Sequence, residues 1–115
     1  MHSIPIDLRS HYVAYIATLN ARPFLNASLS PFVAVSVTHN SAQMTIADYE
    51  GMIRDSITKY PGLKHVLAML VVDQERGTVA ARVRLEGGEG VEHAMYQFQE
   101  GKVAEVWSVI GKEAS

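Results

Sequence analysis

The segment LKHVLAMLVVDQERGTVAARVRLEGGEGVEHAMYQFQEGKVAEVWSVI, residues 63–110, contains four runs of strand-forming residues separated by three turn clusters. The runs are about 63–73, 78–86, 91–99 and 102–110. Between them stand Gln74-Glu75-Arg76-Gly77, Gly87-Gly88-Glu89-Gly90 and Glu100-Gly101. Glycine-bearing turns between such runs are hairpin signals, so the segment reads as an antiparallel meander. The runs exceed the usual strand length of about 5–6 residues. Long twisted strands in one meander curl around whatever packs on their inner face.

Strand phase carries a second message. In the first run Leu67, Met69 and Val71 fall on one face and Val66, Leu70 and Val72 on the other, under strict alternation. In the last run Val103, Trp107 and Val109 oppose Ala104, Val106 and Ile110. A sheet covered on one side only is expected to be polar on the other. Two faces that are both apolar call for a second covering, most simply another copy of the chain. A homodimer through the sheet is the expectation.

Upstream, apolar residues recur at helical spacing. Leu8, Tyr12, Tyr15, Ile16 and Leu19 form one stripe of a helix over about 7–20, with Pro5 at its entry. Pro23 ends it, because proline disfavours helical geometry in the residue before it. A short second helix or turn is expected around Phe24, Leu25, Leu29 and Phe32, limited by Pro31. Val33, Val35 and Val37 then alternate with smaller residues in a strand ending at His39-Asn40. Thr45 with Asp48 three residues on is a capping signal for a helix carrying Ile46, Tyr49, Ile53, Ile57 and Tyr60, stopped by Pro61-Gly62. Helices followed by a meander give an α+β fold, the helices packed on one side of a curved antiparallel sheet.

The chain has 115 residues, one domain's worth, and its 48% hydrophobic content is enough for a core. Cysteine is absent, which removes disulfides, thiolate metal sites and cysteine nucleophiles and fits a reducing cytoplasm. The net charge is −2 and the basic residues are scattered singly, so neither nucleic acid nor an anionic membrane is an expected partner. The opening residues lack a basic stretch followed by a long apolar run, so no signal peptide is expected. The longest apolar stretch, 66–72, falls well short of the ~20 residues a membrane span needs. A soluble, cytoplasmic chain is the reading.

The run from Val91-Glu92-His93 through Tyr96-Gln97-Phe98, Gly101-Lys102 and Val103-Ala104-Glu105-Val106-Trp107 resembles a SnoaL-like pattern: E-H before Y-x-F, a Gly-Lys turn, then V-x-E-x-W. Val35–Asn40 followed by Met44-Thr45-Ile46-Ala47-Asp48-Tyr49, and Val79-Ala80-Ala81-Arg82-Val83, resemble other segments of the same family in the same order. The resemblance covers nearly the whole chain and is to the SnoaL-like members of the NTF2-like superfamily. It implies a cone-shaped α+β barrel, usually dimeric, with a cavity between sheet and helices. It also implies kinship with cyclases and isomerases of polyketide and terpenoid metabolism, and with plain binding or assembly modules. Several catalytic relatives carry an aspartate four residues after the tryptophan; here that position is Gly111, which cannot move a proton.

Proton transfer needs a titratable group within hydrogen-bond reach of a substrate in a dry pocket. His39, at the end of its strand and facing the helices in the family pattern, is the first catalytic candidate, because imidazole titrates near neutrality. Glu105, sharing a face with Trp107, is the second, as a pocket base or as an ion-pair partner of Lys102, Arg82 or Arg84. Glu92 and His93 start their strand on opposite faces. Arg82 is either a solvated sheet residue or a clamp for an enolate-like oxygen. Tyr12, Tyr15, Tyr49 and Tyr96 are core residues with polar tips or hydroxyl donors to a ligand, and Trp107 and Met52 are pocket walls or core packing. Together Tyr12, Tyr15, Tyr49, Met52, Arg82, His93, Tyr96 and Trp107 form the expected ligand shell.

No metal-ligand spacing, phosphate-binding glycine loop or G-x-S-x-G elbow occurs, so neither a metal nor another cofactor is expected. Two readings follow: a cofactor-free cyclase or isomerase acting on an apolar, oxygenated small molecule, or a non-catalytic module that binds such a ligand or dimerises.

Overall fold

The computed structural model describes residues 6–88 and 90–112; Pro5, expected at the helix entry, and Glu89 in the second turn lie outside the described residues. The elements run α1 (Leu8–Asn20), β1 (Val33–His39), β2 (Ala42–Thr45), α2 (Ile46–Lys59), β3 (Lys64–Asp73), β4 (Thr78–Glu86), β5 (Val91–Gln99) and β6 (Lys102–Gly111). The strands form one six-stranded sheet in the order β2-β1-β6-β5-β4-β3. Asp7 caps α1 by accepting the Arg9 N–H, and Thr45 caps α2 by accepting the Asp48 N–H, each satisfying a helix-end donor.

The four-stranded meander forms with the expected boundaries and antiparallel pairing. β1 joins it parallel to β6, so the sheet is mixed and open at β2 and β3. The parallel pair is possible because α2 and the whole meander separate the two strands, far more chain than the dozen or so residues such a crossover needs. β2 is an addition to the elements read from sequence. Asn40 and Ser41 both adopt left-handed φ, 47° and 73°, and make a two-residue hairpin between His39 and Ala42. Of the expected short second helix or turn, the turn is what forms, with Ser30 N–H bonding Ala27 O and Phe32 N–H bonding Leu29 O.

Three irregularities revise the strand faces. Ala68 is an extra residue in β3 between the Leu67↔Val83 and Met69↔Arg82 pairs. Ala104 is an extra residue in β6 between the Phe98↔Val103 and Gln97↔Glu105 pairs. Each bulge inverts the phase of the strand beyond it. Leu67 therefore joins Leu70 and Val72 against the core, while Met69 and Val71 are exposed on the opposite face. Val103 is buried but Trp107 and Val109, expected on its face, point outward at 43% and 70% exposure. In β1 a register shift between Val33 and Thr38 leaves Val35 exposed while Val33 and Val37 are buried.

The core lies between the inner sheet face and the two helices, with Tyr12, Tyr15, Leu19, Val37, Tyr49, Val79, Val83, Tyr96, Phe98 and Val103 among its members. Among the described residues, one charged side chain is buried with them. Glu50, 5% exposed on α2, accepts the Ala27 N–H on one carboxylate oxygen at 3.0 Å and the Leu29 N–H on the other at 3.1 Å. A carboxylate holding two backbone donors fixes the turn that leads from α1 into β1. Glu50→Gln presents an amide N–H₂ to one of those donors, and a buried donor left unpaired costs about 1–3 kcal/mol. Urea unfolding of Glu50→Gln is expected to show a loss of that size; a midpoint equal to wild type would show that the carboxylate does not hold the turn.

Candidate active site between helices and sheet

A half-open cavity of about 440 Å³ lies between α1, α2 and the inner face of the sheet. That is within the ~300–1,000 Å³ typical of small-molecule sites. Its apolar wall includes Leu19, Met52, Ile53, Leu63, Leu85 and Ile110. Its polar wall is built by five elements. α1 and α2 contribute Tyr15 and Tyr49, whose hydroxyls share a buried hydrogen bond of 2.7 Å. β1 contributes His39, its ring 6.1 Å from that of Tyr49 in an edge-on arrangement. β5 and β6 contribute Tyr96, Glu92 and Ser108, with the Ser108 hydroxyl donating to Glu92 Oε2 at 2.6 Å.

Ser108 is itself held by Asn40. The Asn40 amide donates to Ser108 O at 3.0 Å and accepts the Ser108 N–H at 2.8 Å, extending the β1–β6 pairing through a side chain. Burial pushes the Tyr15 hydroxyl well above the ordinary tyrosine range, and neighbouring Tyr49 adds to the effect. Tyr96 is raised by burial and then by Tyr15. Burial raises Tyr49 as well, against an opposing hydrogen bond from Tyr15. These phenols stay protonated and uncharged, so they act as hydrogen-bond donors and acceptors beside the carboxylate of Glu92.

Of the residues singled out in the sequence, His39, Tyr15, Tyr49, Met52 and Tyr96 meet on this cavity. Tyr12 is fully buried beside them, its ring 5.1 Å from Tyr96 and 5.6 Å from Tyr15, and belongs to the core beside the lining. Four others are on the far side of the sheet. Arg82, His93 and Trp107 line an outer groove with Met69, Val71, Met95 and Val109. Glu105 shares Trp107's face, alternating with buried Val106. The Ala104 bulge is the reason: without it, Glu105 and Trp107 would follow Val103 inward. Among the described residues, Arg84 pairs with Glu86 at 3.3 Å, and no ion pair joins Glu105 to Lys102, Arg82 or Arg84.

The cavity also holds side chains that the sequence reading did not choose. Glu92 belongs to the phase of Ala94, Tyr96 and Phe98, all buried, and that phase was the signal that it faces inward. His65 was hidden by the Ala68 bulge, which breaks the alternation connecting it to the rest of β3. Its backbone is fixed by Asn20, whose amide donates to His65 O at 2.8 Å and accepts His65 N–H at 2.7 Å. Among the described residues no group of three acidic or histidine side chains is arranged to hold a metal ion. No helix of the described chain is long and apolar enough to cross a membrane.

Solved structures share this fold, although no family model and no curated protein matches the sequence. A SnoaL-like polyketide cyclase from Agrobacterium tumefaciens superposes with a TM-score of 0.81 at 28% identity, over 97% of this chain and 94% of its own length. A SnoaL-like protein of unknown function from Burkholderia thailandensis gives 0.68 at 15% identity, over 90% and 93%. A protein with a cystatin-like fold from Methylobium petroleophilum gives 0.73 at 13% identity, over 94% and 78%. A curved open sheet closing two helices over an apolar cavity is thus an NTF2-like architecture. Within it, the fold of this chain is SnoaL-like.

Burial, and then the positive charge of Arg22, pushes the His65 imidazole down to about 4 from its ordinary 6.5. Between these values the unfolded chain takes up a proton that the folded chain refuses. The stability associated with a neutral His65 is therefore complete above pH 6.5 and is lost as pH falls toward 4. In thermal melts, the stability of wild type relative to His65→Gln is expected to decline from pH 7 to pH 4.5. A difference independent of pH over that range would show that His65 has an ordinary affinity for its proton.

Proposed function

We propose that the cavity binds a small, mostly apolar, oxygenated molecule and that the chain acts on it without a cofactor, as a proton-transfer catalyst of the cyclase or isomerase type. The observation that carries this reading is the convergence of His39, Glu92 and the Tyr15–Tyr49 hydroxyl pair on a mostly apolar cavity. An imidazole or a carboxylate supplies the base that takes the proton from carbon, and the same group, once protonated, returns it; the phenols supply donors to the oxygen that gains negative charge as the proton leaves carbon. Glu92 is paired across the β5–β6 junction with Ile110, next to Gly111. Glu92 thus faces the cavity beside Ile110, whereas Gly111, where the resemblance implies an aspartate, falls on the opposite phase of β6. Fold similarity to a polyketide cyclase agrees with this chemistry without naming its substrate.

The test is exchange of the C1 protons of 2-tetralone with solvent deuterium, followed by NMR. Wild type is expected to accelerate exchange, and His39→Ala or Glu92→Gln to lower the rate by about 10²-fold or more, the scale of general acid–base catalysis. Binding of 2-tetralone with no exchange above background would leave a non-catalytic ligand carrier, the reading that Gly111 favours. Equal rates in wild type and both variants would remove these two residues from the mechanism.

The outer face supports a homodimer. Met69, Val71, Met95, Trp107 and Val109 are all exposed on it and line one groove. Contiguous apolar surface of this kind is uncommon on a monomer, and a sheet face can meet its own copy about a two-fold axis. Sedimentation at micromolar concentration is expected to give twice the chain mass for wild type and a single chain for Trp107→Lys/Val109→Glu. A monomeric wild type would sink the dimer.

A further inference from the structure

The cavity is long, and its two ends differ in chemistry. α2 borders it from Tyr49 through Met52, Ile53 and Ser56, and the C-cap Tyr60 continues that wall, a run of about 16 Å at the helical rise per residue. The Tyr49 end holds Tyr15 and His39, and the Glu92–Ser108 pair stands on β5 and β6, strands that lie between β1 and β3. At the Tyr60 end stands His65, on β3 at the opposite edge region of the sheet from β1. Leu19, Met52, Ile53 and Leu85 provide apolar wall.

His65 differs from the other polar groups of the cavity in one respect. Its Nδ1 is buried and has no hydrogen-bond partner among the described residues. Buried polar atoms of folded proteins are satisfied in the great majority of cases, and His65 borders the cavity, so a half-turn of its ring brings the orphaned nitrogen to a partner that enters there. The nearby cation does not fill that role. Arg22 donates to the carbonyl oxygens of Leu19, Ala21 and Leu63, so its guanidinium is occupied by backbone. A neutral imidazole offers one N–H and one lone pair, which suits a hydroxyl or carbonyl. A carboxylate would instead need a free positive charge there.

We infer that the cavity takes an elongated, uncharged ligand with an oxygen at each end, one received by the Tyr15–Tyr49 pair and the other by His65. This rests on the cavity being a ligand site, as proposed above. His65 then sets specificity at the end remote from His39. It selects the second oxygen, and through it the direction in which an apolar body lies along α2.

Calorimetric titration with three rigid probes tests the inference: 4-phenylphenol, 4,4′-dihydroxybiphenyl and 4′-hydroxybiphenyl-4-carboxylate. Wild type is expected to bind the dihydroxy compound about tenfold more tightly than 4-phenylphenol, the worth of one added hydrogen bond. The carboxylate is expected to bind more weakly than the dihydroxy compound. In His65→Leu the tenfold advantage is expected to vanish while the affinity for 4-phenylphenol stays. In His65→Gln, which keeps hydrogen-bonding groups, part of the advantage is expected to remain; this variant carries the test if the leucine variant does not fold. Equal affinity of wild type for the two phenols, an unchanged advantage in either folded variant lacking the imidazole, or tightest binding of the carboxylate would overturn the inference alone. Binding of none of the probes would overturn it together with the reading of the cavity as a ligand site.

Discussion

β1 and β6 meet in parallel, His39 beside Val106, and Asn40 continues the contact by bonding Ser108 through both ends of its amide. The meander from β3 to β6 alone would be a curled sheet with α1 over part of its inner face. Adding β1 beside β6 brings α2 over the rest, because α2 follows directly from the β1–β2 hairpin. It also brings His39 into the same space as Glu92 and Ser108 and as the tyrosines of both helices. A cavity lined from five strands and two helices therefore depends on one junction between segments far apart in the chain. Asn40 is suited to that junction: its left-handed φ turns the backbone into the hairpin while its side chain supplies one more rung of pairing.

Much of the architecture is legible in residues 63–110, because long strands separated by glycine turns leave few alternatives. The capping pair Thr45 and Asp48 likewise marks the start of α2. The faces of the strands are another matter. Alternation assumes an unbroken pleat, and a single extra alanine in β3 and in β6 inverts it. Alanine is small and apolar and fits either phase, so nothing in the local sequence advertises the bulge. β2 escaped for a related reason. Ala42–Thr45 is four residues long and only partly buried, and its hairpin turn is Asn40-Ser41 rather than the more familiar asparagine–glycine.

The same distinction governs the site. The tyrosines of α1 and α2 are readable as inward residues because a helix has no equivalent of a one-residue phase slip at these positions. His39 is readable because it lies two residues from buried Val37. Glu105 and Glu92 compete for the role of cavity carboxylate, and only the bulge at Ala104 decides between them. Glu50 lies outside any pattern argument. It falls next to Tyr49 on the buried side of α2, where periodicity would allow an apolar residue, and its reason for being there is a pair of backbone donors contributed by a turn more than twenty residues away.

The bulges also let one sheet serve two surfaces. A strand with strict alternation and apolar residues in both phases would bury one set and expose the other along its entire length. In β6 the change of phase lets Val103 close the floor under α1, while Trp107 and Val109 join Met69 and Val71 on the outside. Past the bulge the inward phase passes to Val106, Ser108 and Ile110, so a serine and not a tryptophan faces Glu92 across the cavity wall. A tryptophan on that wall would fill much of the space that a ligand needs. The extra residue in β6 thus does two things at once: it keeps the cavity open, and it moves the largest aromatic side chain of the chain to the face where an apolar surface needs a partner.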